Sequence, residues 1–268
     1  MSTSKDESRK QMALASICAF GKAAATYDDR DLKLADIRLA RDPLPEAYDF
    51  DDRHKGIANQ TYQNPPQNNC VIAGRAHHTL RFELAEQKVL INITDNDVER
   101  EFKKQTTEDK TDIDVRPSLD LWRTRGWEAA GQHFKIKAFS KIDPIDAEDI
   151  KRMIYINLGV GLGFQLPESA IQQFKDGQPW GVTRDRAANH SHYVYVPGYT
   201  KDGPVCVTWG RKQQMSWAFV DKYCDEAWAI IDEVDTPEKK RTLDEEKINK
   251  FLKTRASVSA EADRISPP

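Results

Sequence analysis

The chain has 268 residues, enough for one large domain or two subdomains that share an interface. Hydrophobic residues make up 39% and charged residues 31%, the polar excess lies at the two ends, and the net charge of −3 gives no basic field to attract nucleic acid or an anionic membrane surface. The cysteines at 18, 70, 206 and 224 lack C-x-x-C spacing, which points to a reduced, cytosolic setting, and no apolar run approaches the roughly 20 residues that cross a bilayer.

In chain order, residues 1–8 are polar and expected to be mobile, and residues 9–25 are Ala-rich and favour a helix. The apolar stretch 12–20 followed by Ala23-Ala24-Ala25 has the outline of a signal peptide. Asp6 and Glu7 spoil its basic leader, and Ser16 and Cys18 weaken its apolar part, which argues against secretion. Residues 32–39 fit neither a helical nor a strand period, and Pro43 and Pro45 force an extended path. Residues 55–69, with Gly, Asn, Gln and a Pro pair, read as loop. A helix starts at Asn69 and Cys70, with Asn69 as its cap and an apolar stripe at 71, 72, 76, 80 and 84. His77 and His78 on that helix read as core-edge or solvent residues.

A second helix is expected near 95–104, then an exposed charged loop over 105–115 and a short helix ending near Gly126. The alternation over 134–139 predicts a strand. Residues 146–157 read as a helix capped by Asp146, 159–166 as a Gly-containing strand, and 175–190 as a long polar loop. Strands follow at 192–196 and 205–209, then an aromatic-rich helix over 216–231 and a charged segment with a possible helix at 243–255 before a disordered Ser/Ala/Pro end. Helices first and strands later define the α+β class.

Two side chains carry the chemistry. A thiol is a poor nucleophile until it is deprotonated, and the free N–H groups and dipole of a helix start favour that; Cys70 stands at such a start. An imidazole in reach completes the pair, and His192, at a strand start, is the candidate, with His190 as a fallback. The Cys70 N–H and the Asn64 carboxamide are candidate donors to an oxyanion. The bland alternatives are a buried structural cysteine and a surface histidine. A metal site from Asp185, His190 and His192 has unspecific spacing, and the glycines at 159, 161 and 163 lack the Lys-Ser/Thr and helix start of a phosphate loop, so no metal or cofactor is expected.

Several segments resemble the papain-like cysteine peptidases, in order along the chain. Tyr48-Asp49-Phe50-Asp51 looks like the segment leading into the peptidase core. Asn64 stands six residues before Cys70, where the family keeps an oxyanion glutamine. Residues 159–164 resemble the strand before the histidine. His192 through Gly198-Tyr199 is similar to the histidine strand, and Val207-Thr208-Trp209-Gly210 to the Asn-Ser-Trp-Gly segment. The stretch 205–219 resembles a group of papain-like proteins of uncharacterised role in bacteria and phages.

The resemblance implies an N-terminal helical half carrying the cysteine and a C-terminal antiparallel β half carrying the histidine. It divides the chain into an extension at 1–47, a domain at 48–234 with halves of about 48–130 and 131–234, and a charged tail at 235–268. It implies a thiol peptidase or amidase acting on a peptide or protein, cytoplasmic or virion-associated. Cys70 is then the nucleophile, His192 the base, Asn64 an oxyanion donor and Thr208 a weakened orienter, since the family's asparagine falls on Val207 or Thr208. The alternatives are an inactive scaffold or virion-associated binding protein, and an acyl transferase using the same pair. Whether residues 1–47 mask the cleft, as a propeptide would, is a question for the structure.

Overall fold

The computed structural model describes residues 18–40, 42–54, 56–185, 190–233 and 235–265. The mobile start expected for 1–8, and the part of the Ala-rich helix before residue 18, lie outside them. Residues 18–25 are irregular instead of helical, because their backbone groups pair with other parts of the chain: Ala23 N donates to Ile113 O at 2.9 Å, and Ile113 N to Gly21 O at 2.8 Å. Ile113 is therefore buried within a segment expected to be exposed.

The helices are α1 (Leu34–Ile37), α2 (Cys70–Gln87), α3 (Asp95–Gln105), α4 (Val115–Thr124), α5 (Ala147–Asn157), α6 (Glu168–Lys175), α7 (Trp217–Tyr223), α8 (Pro237–Thr242) and α9 (Glu245–Ile265). The strands are β1 (Tyr48–Asp49), β2 (Trp127–Ala129), β3 (Gln132–Phe134), β4 (Ala138–Ile142), β5 (Val160–Leu166), β6 (His190–Thr200), β7 (Gly203–Thr208), β8 (Arg211–Gln214) and β9 (Cys224–Ile231). Antiparallel pairing orders the main sheet β4-β9-β5-β6-β7-β8, with β1 also on β6, and β2 pairs with β3 apart from it. The class is α+β, with a helical N-terminal half and an antiparallel β half.

Alternation along the central strands separates two cores. On β9, Ala227, Ala229 and Ile231 join Leu162, Val194 and the buried face of α5, whereas Trp228 and Ile230 join the apolar side chains of α2 and α4. A strand covered on both faces reads as an unbroken apolar run. For that reason the helix expected over 216–231 is instead a short helix, α7, followed by β9. The strand expected over 134–139 breaks into the ends of β3 and β4. The hairpin strand β8 and the helix α6 were not among the expected elements, although Ala170, Ile171 and Phe174 of α6 share one buried face. The helix expected at 243–255 runs on to Ile265, through the segment expected to be disordered.

Helix α2 passes between the sheet and the other helices, so its polar side is covered as well as its apolar stripe. His77 and His78 are buried, contrary to the core-edge or solvent reading. Its two arginines are paired in place. Arg75 Nη1 donates to Glu101 at 2.9 Å, and Arg81 Nε and Nη2 donate to the two oxygens of Asp51 at 2.8 and 2.7 Å. A carboxylate that accepts both bonds of a guanidinium fork offsets much of the cost of burying that charge.

Candidate active site

Two local features bring the helix start against the histidine strand. Gly74, one turn into α2, lies flat on β6: a Cβ there would stand 2.7 Å from the Tyr193 ring. Any larger residue would push the helix, and Cys70 with it, off the strand. Asn69 occupies the N-cap position, but its side chain donates to Tyr62 O at 2.7 Å and makes no cap bond. The expected Asn69 cap is therefore absent, and no cap side chain takes up the N–H groups of the first turn beside Cys70.

Cys70, His192, Asn64 and Thr208 line one cavity, together with Gln60, Thr61, Gly74, Tyr193, Val207 and Trp209. His192 Nε2 lies 2.7 Å from Thr208 Oγ1, and its Nδ1 has no hydrogen-bond partner among the described residues. Neither does either polar atom of the buried Asn64 side chain. Val207, the other position on which the orienting residue could fall, offers His192 no polar atom.

Trp209 holds the imidazole from the side. Its indole stacks on His192 at 4.5 Å and 21°. Trp209 and Gly210 form the two-residue turn between β7 and β8, with φ of 44° and 84°. Such hairpin turns require positive φ at both central residues, which is costly for tryptophan. The indole N–H donates to Ala19 O at 3.1 Å. Sequence reasoning included Trp209 only as part of a motif; an aromatic residue placed before Gly at a hairpin turn was the available signal.

Residues 19–23 form a strap against the histidine strand and Trp209, next to the cavity, which the sequence did not reveal. Phe20 stacks on His190 at 4.6 Å and meets His192 edge-on at 6.0 Å. Gly21 N and Lys22 N both donate to Ser191 O, at 3.3 and 3.4 Å. A Cβ on Gly21 would lie 1.8 Å from Asn68 O, so only glycine passes there. The remaining cavity is about 20 Å³, room for roughly one water. Cys70 and His192 are each 2% exposed. Burial pushes the Cys70 thiol up to about 12, against smaller downward pulls from the Tyr193 backbone and the Lys22 ammonium. Burial also pulls His192 down to about 3. Under the strap the pair is neutral.

His190 turns away from the thiol to Glu168, at 2.6 Å, and Asp185 accepts from Ser169 N at 3.2 Å. Asp185, His190 and His192 do not gather, and no group of three or more metal-ligating side chains occurs among the described residues. No helix among them is long and apolar enough to cross a membrane.

The architecture is that of the papain-like cysteine proteases. Three solved structures carry the likeness. Xylellain, a cysteine protease from Xylella fastidiosa, superposes with a TM-score of 0.62 at 13% identity, over 81% of this chain and 97% of that one. The cysteine protease and lectin-like domains of Cwp84, a surface layer associated protein of Clostridium difficile, give 0.59 at 12%, over 80% and 56%. Procathepsin B S9 from Trypanosoma congolense gives 0.56 at 13%, over 82% and 87%. No protein-family model matches the sequence, and no curated protein sequence does.

Proposed function

We propose that this chain is a cysteine hydrolase of peptide or amide bonds, held latent by its own strap. The observation that carries the reading is the division of labour on His192: Nε2 is engaged by Thr208, while Nδ1 is unpaired in the cavity that Cys70 also lines. In the proposed tautomer Thr208 accepts from Nε2–H, which leaves Nδ1 free to take a proton. The Thr208 hydroxyl is a weaker orienter than a carboxamide.

In the proposed reaction the strap leaves and a peptide enters. The Cys70 proton passes to His192 Nδ1, and Sγ attacks the carbonyl carbon. The oxyanion is received by the Cys70 N–H and the Asn64 Nδ2 group, which has no other partner among the described residues. Collapse expels the amine, which takes the proton from His192 and leaves a thioester on Cys70. Water, deprotonated by His192, attacks the thioester; the acid is released and the thiol restored. Helix α2 contributes the positive end of its dipole to the thiolate.

The test is turnover of a quenched-fluorescent peptide pool by the full chain carrying Gly21→Ala, which drives the strap off Asn68. Cleavage is expected, and it disappears when Cys70→Ala is added. A binding scaffold without catalysis is favoured by the neutral pair under the strap. It becomes the better reading if the strap-released chain cleaves nothing and its Cys70 is alkylated no faster than a free thiol.

A further inference from the structure

Lys22 is the most unusual residue of the strap. It is 1% exposed, although lysines are seldom fully buried. Its Nζ lies 3.0 Å from Asp225 Oδ2, 3.0 Å from Glu226 Oε1 and 3.1 Å from Ala23 O. Burial pulls this ammonium toward neutrality, and the two carboxylates more than compensate, so it stays charged.

The pocket is built into the sheet beside the thiol. Strand β5 lies between β6 and β9, and Gly163 pairs with Tyr193 on one side and Glu226 on the other. Tyr193 follows His192 directly. A Cβ on Gly163 would stand 2.3 Å from Lys22 Cε and 2.6 Å from Glu226 Cγ, so a side chain there would fill the space that the lysine stem occupies. The carboxylates are held in place by other bonds: Trp228 Nε1 donates to Glu226 Oε2 at 2.7 Å, and Gln165 Nε2 to Asp225 Oδ2 at 2.9 Å. Glu226 is 1% exposed, and the Lys22 ammonium is the cation that faces its Oε1, 3.0 Å away. Remove the ammonium and a buried carboxylate is left unpaired, which is costly.

The strap is also held by main-chain bonds on both sides, as a bound peptide would be. It is hydrogen-bonded to Ser191 on one wall and, through Gly21 O and Ala23 N, to Ile113 on the other. Main-chain bonds of this kind accept any sequence, and the choice falls to the side-chain pocket between them.

From this we infer that the Asp225–Glu226 pocket is the specificity pocket of the cleft: it selects a lysine side chain close to the bond under attack, and Lys22 fills it as an internal pseudo-substrate. The inference rests on the hydrolase reading for the word substrate, but its tests do not need catalysis.

In the full chain, Lys22→Met is expected to raise the rate of Cys70 alkylation by iodoacetamide at least tenfold, read on the Cys70 peptide by mass spectrometry. Glu226→Gln is expected to raise it comparably, and the double variant to add little to either, because the two side chains act as one pair. An unchanged rate in Lys22→Met overturns the inference. The full chain carrying Cys70→Ser and Lys22→Met cannot turn over, so it reports binding alone. By calorimetry it is expected to bind acetyl-Ala-Phe-Gly-Lys-Ala-amide at least tenfold tighter than the same peptide with norleucine for lysine, and Glu226→Gln is expected to abolish the difference. Equal binding, tighter binding of the norleucine peptide, binding of neither, or a lysine preference that survives Glu226→Gln each overturns it. A lysine preference in binding, together with no cleavage by the strap-released chain, would keep the pocket and remove the hydrolase.

Discussion

The two ends of the chain are both polar in sequence, yet they are held with different shares of buried charge and apolar area. Residues 19–23 lie against the histidine strand and are fixed by main-chain bonds, by an ion pair in a buried pocket and by a glycine that cannot be replaced. The C-terminal segment stays outside the cleft. Leu243 and Ile248 are buried in the core on one side of the sheet, with Phe251 and Leu252 packed against it. The first end is directional and depends on charge, so a partner with the same backbone and charge can displace it. The second adds apolar area removed from water, which stabilises without regard to orientation, to main-chain bonds and ion pairs such as Asp244 N to Ile37 O at 2.7 Å and Arg255 to Asp28 at 3.2 Å. An end that must be released is better held by the first kind of contact.

Acid is expected to produce the largest effect and to erase the contrast. His78 and His192 are pulled down to about 3 by burial, and His77 is pulled well below 6.5 by burial and by Arg81. The unfolded chain takes up these protons below pH 6.5 and the folded chain does not. Stability therefore falls as the pH drops from about 6.5 toward 3, by about 1.4 kcal/mol per pH unit for each imidazole. Thermal melts between pH 7 and 4 should show one transition moving down; a melting temperature that holds steady across that range contradicts the burial of these rings.

Ile248→Ala is expected to cost about 2–5 kcal/mol of stability, the range for deleting a buried aliphatic side chain, without changing Cys70 alkylation at a temperature where the fold persists. Faster alkylation in that variant would mean that the two ends are coupled. Gly21→Ala is the converse. Cys70 alkylation at neutral pH should rise on the order of 100-fold, equivalent to about 2.7 kcal/mol of opening, with little change in melting temperature. The unmodified chain, whose thiol lies at about 12, should react faster with every step in pH up to 10. In the Gly21→Ala background, Thr208→Val is expected to lower kcat roughly tenfold, as the loss of an orienter does when nucleophile, base and oxyanion donors remain. An unchanged kcat would remove Thr208 from the site.

Much of the fold was legible because it rests on local periodicity and caps. Helix α5 begins after Asp146, whose side chain accepts from Asp149 N at 3.0 Å, and β5 and the histidine strand lie where the apolar runs place them. Strand β9 was not legible, since a run buried on both faces has no period to read. His77 and His78 were misjudged because exposure on a helix depends on what packs against it.

For the candidate site, the sequence by itself supplied the residue types and their order: a cysteine after a polar loop, a histidine on a later strand, and a threonine and tryptophan on the next. These are one-dimensional facts, fixed by spacing and local propensity. The tertiary structure alone decided that Thr208 meets His192, that Gly74 lets the helix approach its strand, and that Lys22 lies among Glu226 and Asp225, more than two hundred residues away in the chain. Such meetings depend on how the sheet orders its strands, and a buried charge reveals its partner only once both have left water.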